Sequence, residues 1–474
     1  MKKRLYLIFI AALALAALSS VLVSCAPVSS VDKYAIEVTL NTDDMTAEIS
    51  ETLIYINDTE GKLDHLVFNL YPNAFNENAP AIVPEDKSEA TYYSGPSYGS
   101  IDILAVTDNK GNPLEFTEDG QSMKVEVDIR KGGSAVINIE GDITLPAVNH
   151  RFGYGAHTVN LANFYPQLAV WENGAFRTDT YTAVGDPFYS EVADYEVTFT
   201  ADKDYLIAST GEIISNTTSG SNKTTIIKAE NVRDFAAVLS DEFELVTGEA
   251  GDVSVNYYYF ADQEPSVSLN AACSAIMVFN GIIGEYPYSS YTVVETDFVY
   301  GGMEYPQLSF ISSGLGSSRE KVIVHETAHQ WWNCIVGSDS VNSAWMDEGL
   351  TEFSVALYYR EAGQADTMNT LISSAYASLD SYNAAIAVMP AETGISMRRC
   401  LTDYPSENDY YVTTYVKGML MFDTIYELIG RDNFVDCMKT YYEDNKYMIA
   451  SEEDLISAFT SASGKNLDGI FSSW

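Results

Sequence analysis

The sequence predicts an α+β multidomain chain: an N-terminal antiparallel β-sandwich or saddle, followed by a mostly helical domain built on a few strands. Three observations carry this. Up to about residue 250, apolar and polar residues alternate, the pattern of strands that bury one face. Beyond that point apolar residues recur every three or four positions, the period of a half-buried helix. The length, 474 residues, is also more than one hydrophobic core usually serves.

Residues 1–24 stand apart from the fold. Lys2, Lys3 and Arg4 are followed by an apolar run from Leu5 to about Val23, broken only by Ser19 and Ser20, and ending at Leu22-Val23-Ser24-Cys25. A basic start before an apolar run is the order of an export signal, which is removed. The Leu-x-Ser-Cys ending resembles a bacterial lipobox and implies that Cys25 is the lipidated first residue of the mature chain, since two acyl chains anchor durably. An uncleaved membrane helix is the competing reading, because the run is near spanning length. The position of Cys25 favours the lipoprotein. The expected location is therefore extracytoplasmic, lipid-anchored to a bacterial cell membrane.

Residues 25–32 read as a tether and 33–248 as the β domain. Ile36, Val38 and Leu40 alternate with polar residues, as do Leu66, Phe68 and Leu70, and Tyr195, Val197 and Phe199 before a turn at 201–204. Val125, Val127 and Ile129 run through Lys131-Gly132-Gly133-Ser134 into Ala135, Ile137 and Ile139, which predicts a hairpin. The Ser/Thr/Asn-rich stretch 215–222 reads as punctuation between strands. Residues 249–474 form the second domain. A strand is expected at 253–260, with helices at 267–283, 319–336, 348–361, 365–379, 414–429 and 452–462. No internal repeat and no second export or membrane segment is found.

Lys and Arg total 26 against 67 Asp and Glu, a net charge of −41, and near −44 without the first 24 residues. Nucleic acid and anionic membrane surfaces call for basic patches, so no nucleic-acid partner is expected. With Cys25 lipidated, four cysteines remain: Cys273, Cys334, Cys400 and Cys437. Export permits disulfides, and a Cys400–Cys437 bridge is open, but no spacing forms a framework. Buried free thiols are the expectation.

Chemistry gathers in three segments. His325-Glu326-Thr327-Ala328-His329 sets two imidazoles four residues apart, on one helix face, where both can reach one metal ion. Glu326 lies between them, where it can take a proton from a metal-activated water. Glu348, nineteen residues after His329 in Trp345-Met346-Asp347-Glu348-Gly349-Leu350-Thr351-Glu352, offers a third ligand from a second helix. Three protein ligands and an open position form the catalytic arrangement. Two imidazoles and a carboxylate point to zinc, one Zn2+ per chain. A bare His-Glu-x-x-His also occurs on ordinary amphipathic helices. Here Val322, Ile323 and Val324 mark a buried helix, and two of the chain's five histidines fall in this pentapeptide. The metal site is favoured.

Upstream, Tyr300-Gly301-Gly302-Met303-Glu304-Tyr305-Pro306 pairs glycines, which let a backbone approach a ligand, with a carboxylate that could bind a cation held there. From glycines alone a tight turn is the simpler reading. Downstream, Tyr415-Val416-Lys417-Gly418 offers a hydroxyl that could donate to an oxyanion, although the chain holds 33 tyrosines.

In this order the three segments resemble the aminopeptidase N family of gluzincins, which also includes the leukotriene epoxide hydrolase. Phe279–Tyr288, similar to the family's Gly-x-Tyr-Pro segment, and Arg233-Asp234-Phe235-Ala236 add to the resemblance. It implies a thermolysin-like, mostly helical zinc peptidase domain, with His325, His329 and Glu348 as metal ligands and Glu326 as general base. It further implies that Gly301, Gly302, Met303 and Glu304 bind substrate, with Glu304 at the α-amine, and that Tyr415 meets the oxyanion. Three departures stand out. Tyr305 replaces the family's Asn after Met-Glu. The chain stops at Trp474, about where the catalytic domain of longer members ends, without their C-terminal helical domain. The family's acidic or Gln-containing substrate segment is not found, Gln167 being a weak candidate.

The expected function is a zinc-dependent aminopeptidase acting on peptides with a free N-terminus. Its rivals are an open-cleft zinc endopeptidase and a non-catalytic peptide-binding surface lipoprotein; an epoxide hydrolase is a remote third.

Overall fold

The computed structural model describes residues 31–387 and 396–474. The expected signal at 1–24, the lipidation site Cys25 and the tether up to residue 30 lie outside the described residues.

The N-terminal unit is built on a seven-stranded sheet. Its order is Glu212–Ser219, Asn222–Val232, Ala193–Asp202, Asp32–Asn41, Thr46–Ile56, Ser134–Thr144, Ser100–Asp108. Tyr34, Ile36, Val38, Leu40, Tyr195, Val197 and Phe199 fill its buried face as the alternation predicts. All its pairings are antiparallel but one: Asp32–Thr39 runs parallel to Ala193–Thr200, which the long connection between them permits. A four-stranded sheet, Gln167–Leu168, Leu63–Asn69, Ser122–Ile129 and Phe116–Asp119, contributes to the same core with Leu66, Phe68, Met123 and Val125. A third, short sheet (Leu206–Ser209, Ala237–Ser240, Val159–Leu161, Phe152–Tyr154) belongs to the same half of the chain.

Two sequence expectations are corrected here. Ser122–Ile129 and Ser134–Thr144 do not form a hairpin. The first pairs with Leu63–Asn69 and Phe116–Asp119, the second with Thr46–Ile56 and Ser100–Asp108. The turn at 130–133 carries the chain from one sheet to the other, tied by Asn57, whose N–H donates to the Gly133 carbonyl at 2.8 Å. Alternation reports a buried face but not which neighbour shares it. Residues 215–219 are strand rather than punctuation. They belong to an edge strand exposed along its whole length, and a strand wet on both faces needs no apolar alternation.

The second unit opens with a mixed five-stranded sheet, ordered Glu244–Ala250, Val253–Tyr259, Ser290–Thr296, Leu308–Ser312, Gly302–Tyr305. A division at 248/249 falls inside its first strand, so the change of sheets comes earlier, at 241–243. The three inner strands are parallel and the two edges antiparallel. The Gly-Met-Glu segment is thus an edge strand.

Among the described residues this unit has seven longer helices: α1 (Pro265–Ile282), α2 (Arg319–Ala328), α3 (Trp345–Glu361), α4 (Ala365–Ile386), α5 (Lys417–Ile429), α6 (Arg431–Asn445) and α7 (Glu452–Ser463). Although α1 is apolar enough to match a membrane span, it packs in the core through Leu269, Ala272, Ile276 and Phe279. Arg319 ties the start of α2 to the sheet, 2.8 Å from Glu295. The expected helix 319–336 ends at Ala328: Trp331, Trp332, Ile335 and Val336 are buried and keep the period, but the chain carrying them turns. Helix α6 was not expected, although Phe434, Val435, Met438, Tyr441 and Tyr442 have helical spacing. The four cysteines are free thiols, Cys334 and Cys437 buried, Cys273 and Cys400 half-buried.

Candidate metal centre and active-site cleft

Helix α2 turns His325 and His329 to one side, and α3 brings Glu348 against them. Their nearest ligand atoms all lie within 4.8 Å of one another. His329 Nε2 is 3.1 Å from His325 Nε2 and 3.1 Å from Glu348 Oε2. The other ring nitrogens face different partners: His325 Nδ1 lies 3.0 Å from Glu352 Oε1, and His329 Nδ1 lies 3.0 Å from the Trp332 carbonyl. Converging Nε2 atoms, with a carboxylate near one Nδ1 and a carbonyl bonded to the other, suit a zinc site. The donor set fits zinc.

Glu352 is one of the residues that sequence reading missed. It sits one turn beyond Glu348 and is itself held by Lys321 at 3.1 Å. The helical spacing of the two glutamates was the available signal.

The Glu326 side chain packs against Gly302. A Cβ at Gly302 would lie 2.3 Å from Glu326 Oε1, so this position holds glycine because the carboxylate occupies the side-chain space. Burial raises the Glu326 carboxyl, to about 8, against the lowering pull of His325. A bound cation would lower it again.

Tyr415 lies in a wide turn, Val412–Val416, with π-helical geometry just before α5. Such turns are frequent at functional sites. Its hydroxyl donates to Glu348 Oε1, and its ring stacks near His325 at 5.9 Å. A backbone contact sets this placement: a Cβ on Gly349 would lie 2.8 Å from the Gly418 Cα. The glycines after Glu348 and Lys417 therefore let α3 and α5 touch.

The cleft holds a cavity of about 290 Å³. Gly301, Gly302, Met303 and Glu304 form one wall, His325, Glu326, Glu348 and Tyr415 another, and Arg151 and Asp186 come in from the β unit. Arg151 is buried, bonded to Asp186, to the Tyr181 hydroxyl at 3.1 Å and to the Met303 sulfur at 3.3 Å. Burial raises Asp186, to about 7, although Arg151 opposes the shift. Asp186 sits in an irregular loop with no motif to signal it. Tyr410 was also missed; it lines the cavity, and its buried hydroxyl has no partner among the described residues. The cavity continues past Ala183 and Val184 into an outer groove lined by Glu85, Asp86 and Glu407.

The departures from the expected pattern have structural counterparts. Tyr305 stacks on Phe188 of the β unit at 6.4 Å and does not line the cleft cavity. Gln167 is buried beside Tyr165 and Ser190. It lines a small cavity behind Glu304, not the cleft.

Residues 267–474 match the Peptidase family M1 domain. Leucine aminopeptidase 2-1 of Meyerozyma guilliermondii is 31% identical over 174 residues, 35% of this chain and 28% of that protein. Aminopeptidase B of Homo sapiens is 23% identical over 202 residues, 38% of this chain and 28% of its own length. The chain thus spans less than a third of the length of these curated relatives. The M1 zinc metallopeptidase from Deinococcus radiodurans has a similar structure, with a TM-score of 0.69 and 16% identity, covering 94% of this chain and 93% of that one. A mutant of it was solved bound to a Tyr-Ser-Ala substrate. Aminopeptidase A of Legionella pneumophila, in complex with aspartic acid, gives a TM-score of 0.64 at 16% identity, covering 93% of this chain and 49% of that one. These two likenesses speak to the fold. The stretch that matches the Peptidase family M1 domain contains the Gly-Met-Glu strand, both histidines, Glu348 and Tyr415.

Proposed function

We propose that this protein is a zinc-dependent aminopeptidase that removes N-terminal residues from peptides. One observation carries the reading: the buried Glu304 carboxylate shares a cavity with His325, Glu326 and Glu348, and Asp186 enters it beside them. A free α-amine is a cation that such carboxylates can hold. An amine held at a set distance from the metal ligands limits cutting to the first bond. Relatives named as aminopeptidases, and the structural neighbour with a bound tripeptide, support the same substrate class.

His325, His329 and Glu348 would hold the zinc, which when bound supplies a polarised water at neutral pH. Glu326 takes the proton of the attacking water and returns it to the leaving amine. Tyr415 donates its hydroxyl hydrogen to the carbonyl oxygen as negative charge develops there; at rest that hydrogen bonds Glu348. Glu304 holds the substrate ammonium.

The outer groove favours one second reading, an open-cleft zinc endopeptidase, because it leaves room beyond a single residue. Hydrolysis of a peptide and its N-acetylated twin, with and without a zinc chelator, separates the two. Chelator-sensitive release of the first residue from the free peptide alone is expected. Internal cleavage of both peptides would move the assignment to an endopeptidase. No cleavage of either would favour a peptide-binding lipoprotein, which the intact catalytic set argues against.

We also propose export and lipid anchoring through Cys25 in a bacterial cell membrane, supported by the basic-apolar-Cys order of residues 2–25. With Cys25→Ser the protein should move from the membrane fraction to the soluble extracytoplasmic fraction. Unchanged partition would remove the lipid anchor.

A further inference from the structure

After α2 the chain reverses through residues 330–336, and Asn333 adopts φ = 103°. Among the described residues, the other six non-glycine residues with positive φ lie between 50° and 68°, in the left-handed basin that asparagine tolerates. Asn333 lies well outside it, in territory that suits glycine. The turn is fixed from several sides. The Asn333 N–H donates to the Val336 carbonyl at 2.8 Å, Arg233 Nη2 donates to the Ile335 carbonyl at 3.2 Å, and the Cys334 thiol donates to the Glu304 carbonyl at 3.1 Å. None of these needs a side chain at 333. Among the described residues the side chain makes one hydrogen bond: Asn333 Nδ2 donates to Glu304 Oε1 at 2.7 Å.

Glu304 has a competing place to go. Behind it lies a cavity of about 30 Å³ lined by Gln167, Arg233, Asp234 and Asn333. Arg233 is buried there, and its Nε has no hydrogen-bond partner among the described residues. A glutamate free to change rotamer would be drawn back toward that guanidinium and away from the cleft.

We infer that Asn333 is a positioning residue for amine recognition, fixing one oxygen of the Glu304 carboxylate so that the group stays at the cleft wall to receive the substrate ammonium. The inference rests on the aminopeptidase reading above. The backbone strain at Asn333 is tolerated because its amide orients the carboxylate that reads the N-terminus.

Asn333→Gly tests this, since glycine suits the backbone and removes only the amide. For a free-amine peptide, KM is expected to rise about tenfold, the loss of one hydrogen bond to a charged group. The kcat should stay within about twofold, zinc content should be unchanged, and the melting temperature should not fall, because glycine relieves the turn. Asn333→Asp, of the same size, sets a like charge against Glu304 and should raise KM further than the glycine variant. An unchanged KM in Asn333→Gly, with the wild type still rejecting the acetylated peptide, overturns the inference and leaves the aminopeptidase intact. A lower melting temperature with kcat reduced and KM unchanged would show a structural role only and overturn it as well. A wild type that does not distinguish free from acetylated peptide removes the aminopeptidase reading and this inference with it.

Discussion

Glu326→Gln is expected to lower kcat by roughly 10²–10⁴-fold, the range attributed to a positioned general base. Zinc content and melting temperature should stay near wild type. The substitution keeps shape and volume, and the carboxylate is not one of the three converging ligands. Its place is fixed sterically, because the space a side chain at residue 302 would need is filled by the Glu326 carboxylate. The amide of Gln fits the same gap but cannot take a proton from water. Turnover measured alongside metal analysis decides the matter: full zinc occupancy with unchanged turnover would remove Glu326 from the mechanism.

Tyr415→Phe should lower kcat by about 10²–10³-fold, the usual cost of one oxyanion donor, with KM nearly unchanged. Its hydroxyl bonds Glu348 in the resting structure. Replacement therefore removes a hydrogen bond to the proposed ligand Glu348 as well as the proposed oxyanion donor, so zinc affinity should be measured beside kinetics. Loss of kcat with zinc retained supports the oxyanion role. Equal losses in kcat and in ground-state binding would assign Tyr415 to substrate binding instead.

Local spacing made the two histidines legible: they stand four positions apart, and both fall on one helix face whatever the rest of the fold does. Glu304 and Tyr415 were legible only as parts of an ordered set of motifs, because a single Glu or one of 33 tyrosines carries no signal. Asp186 and Arg151 were not legible, since the docking of the β unit brings them to the cleft and no local pattern records docking. Asn333 was hidden for another reason. The apolar period through Trp331, Trp332 and Ile335 reads as continued helix, while the chain has already turned. The same limit produced the hairpin error at 130–133, where periodicity gave the strands and faces correctly but not their partners. The parallel pairing of Asp32–Thr39 with Ala193–Thr200 had no signal in either strand.

The contact between Gly349 and Gly418 carries a consequence for how this centre can vary. One residue before Gly349 stands Glu348, the proposed third metal ligand, and three residues before Gly418 stands Tyr415, the proposed oxyanion donor. Because backbone meets backbone there, the spacing of the two helices is a mechanical stop rather than the sum of many adjustable side chains. Ligand and hydroxyl are therefore gauged from the same point. A methyl group at either glycine would displace both at once, and no substitution at that crossing could retune one without detuning the other.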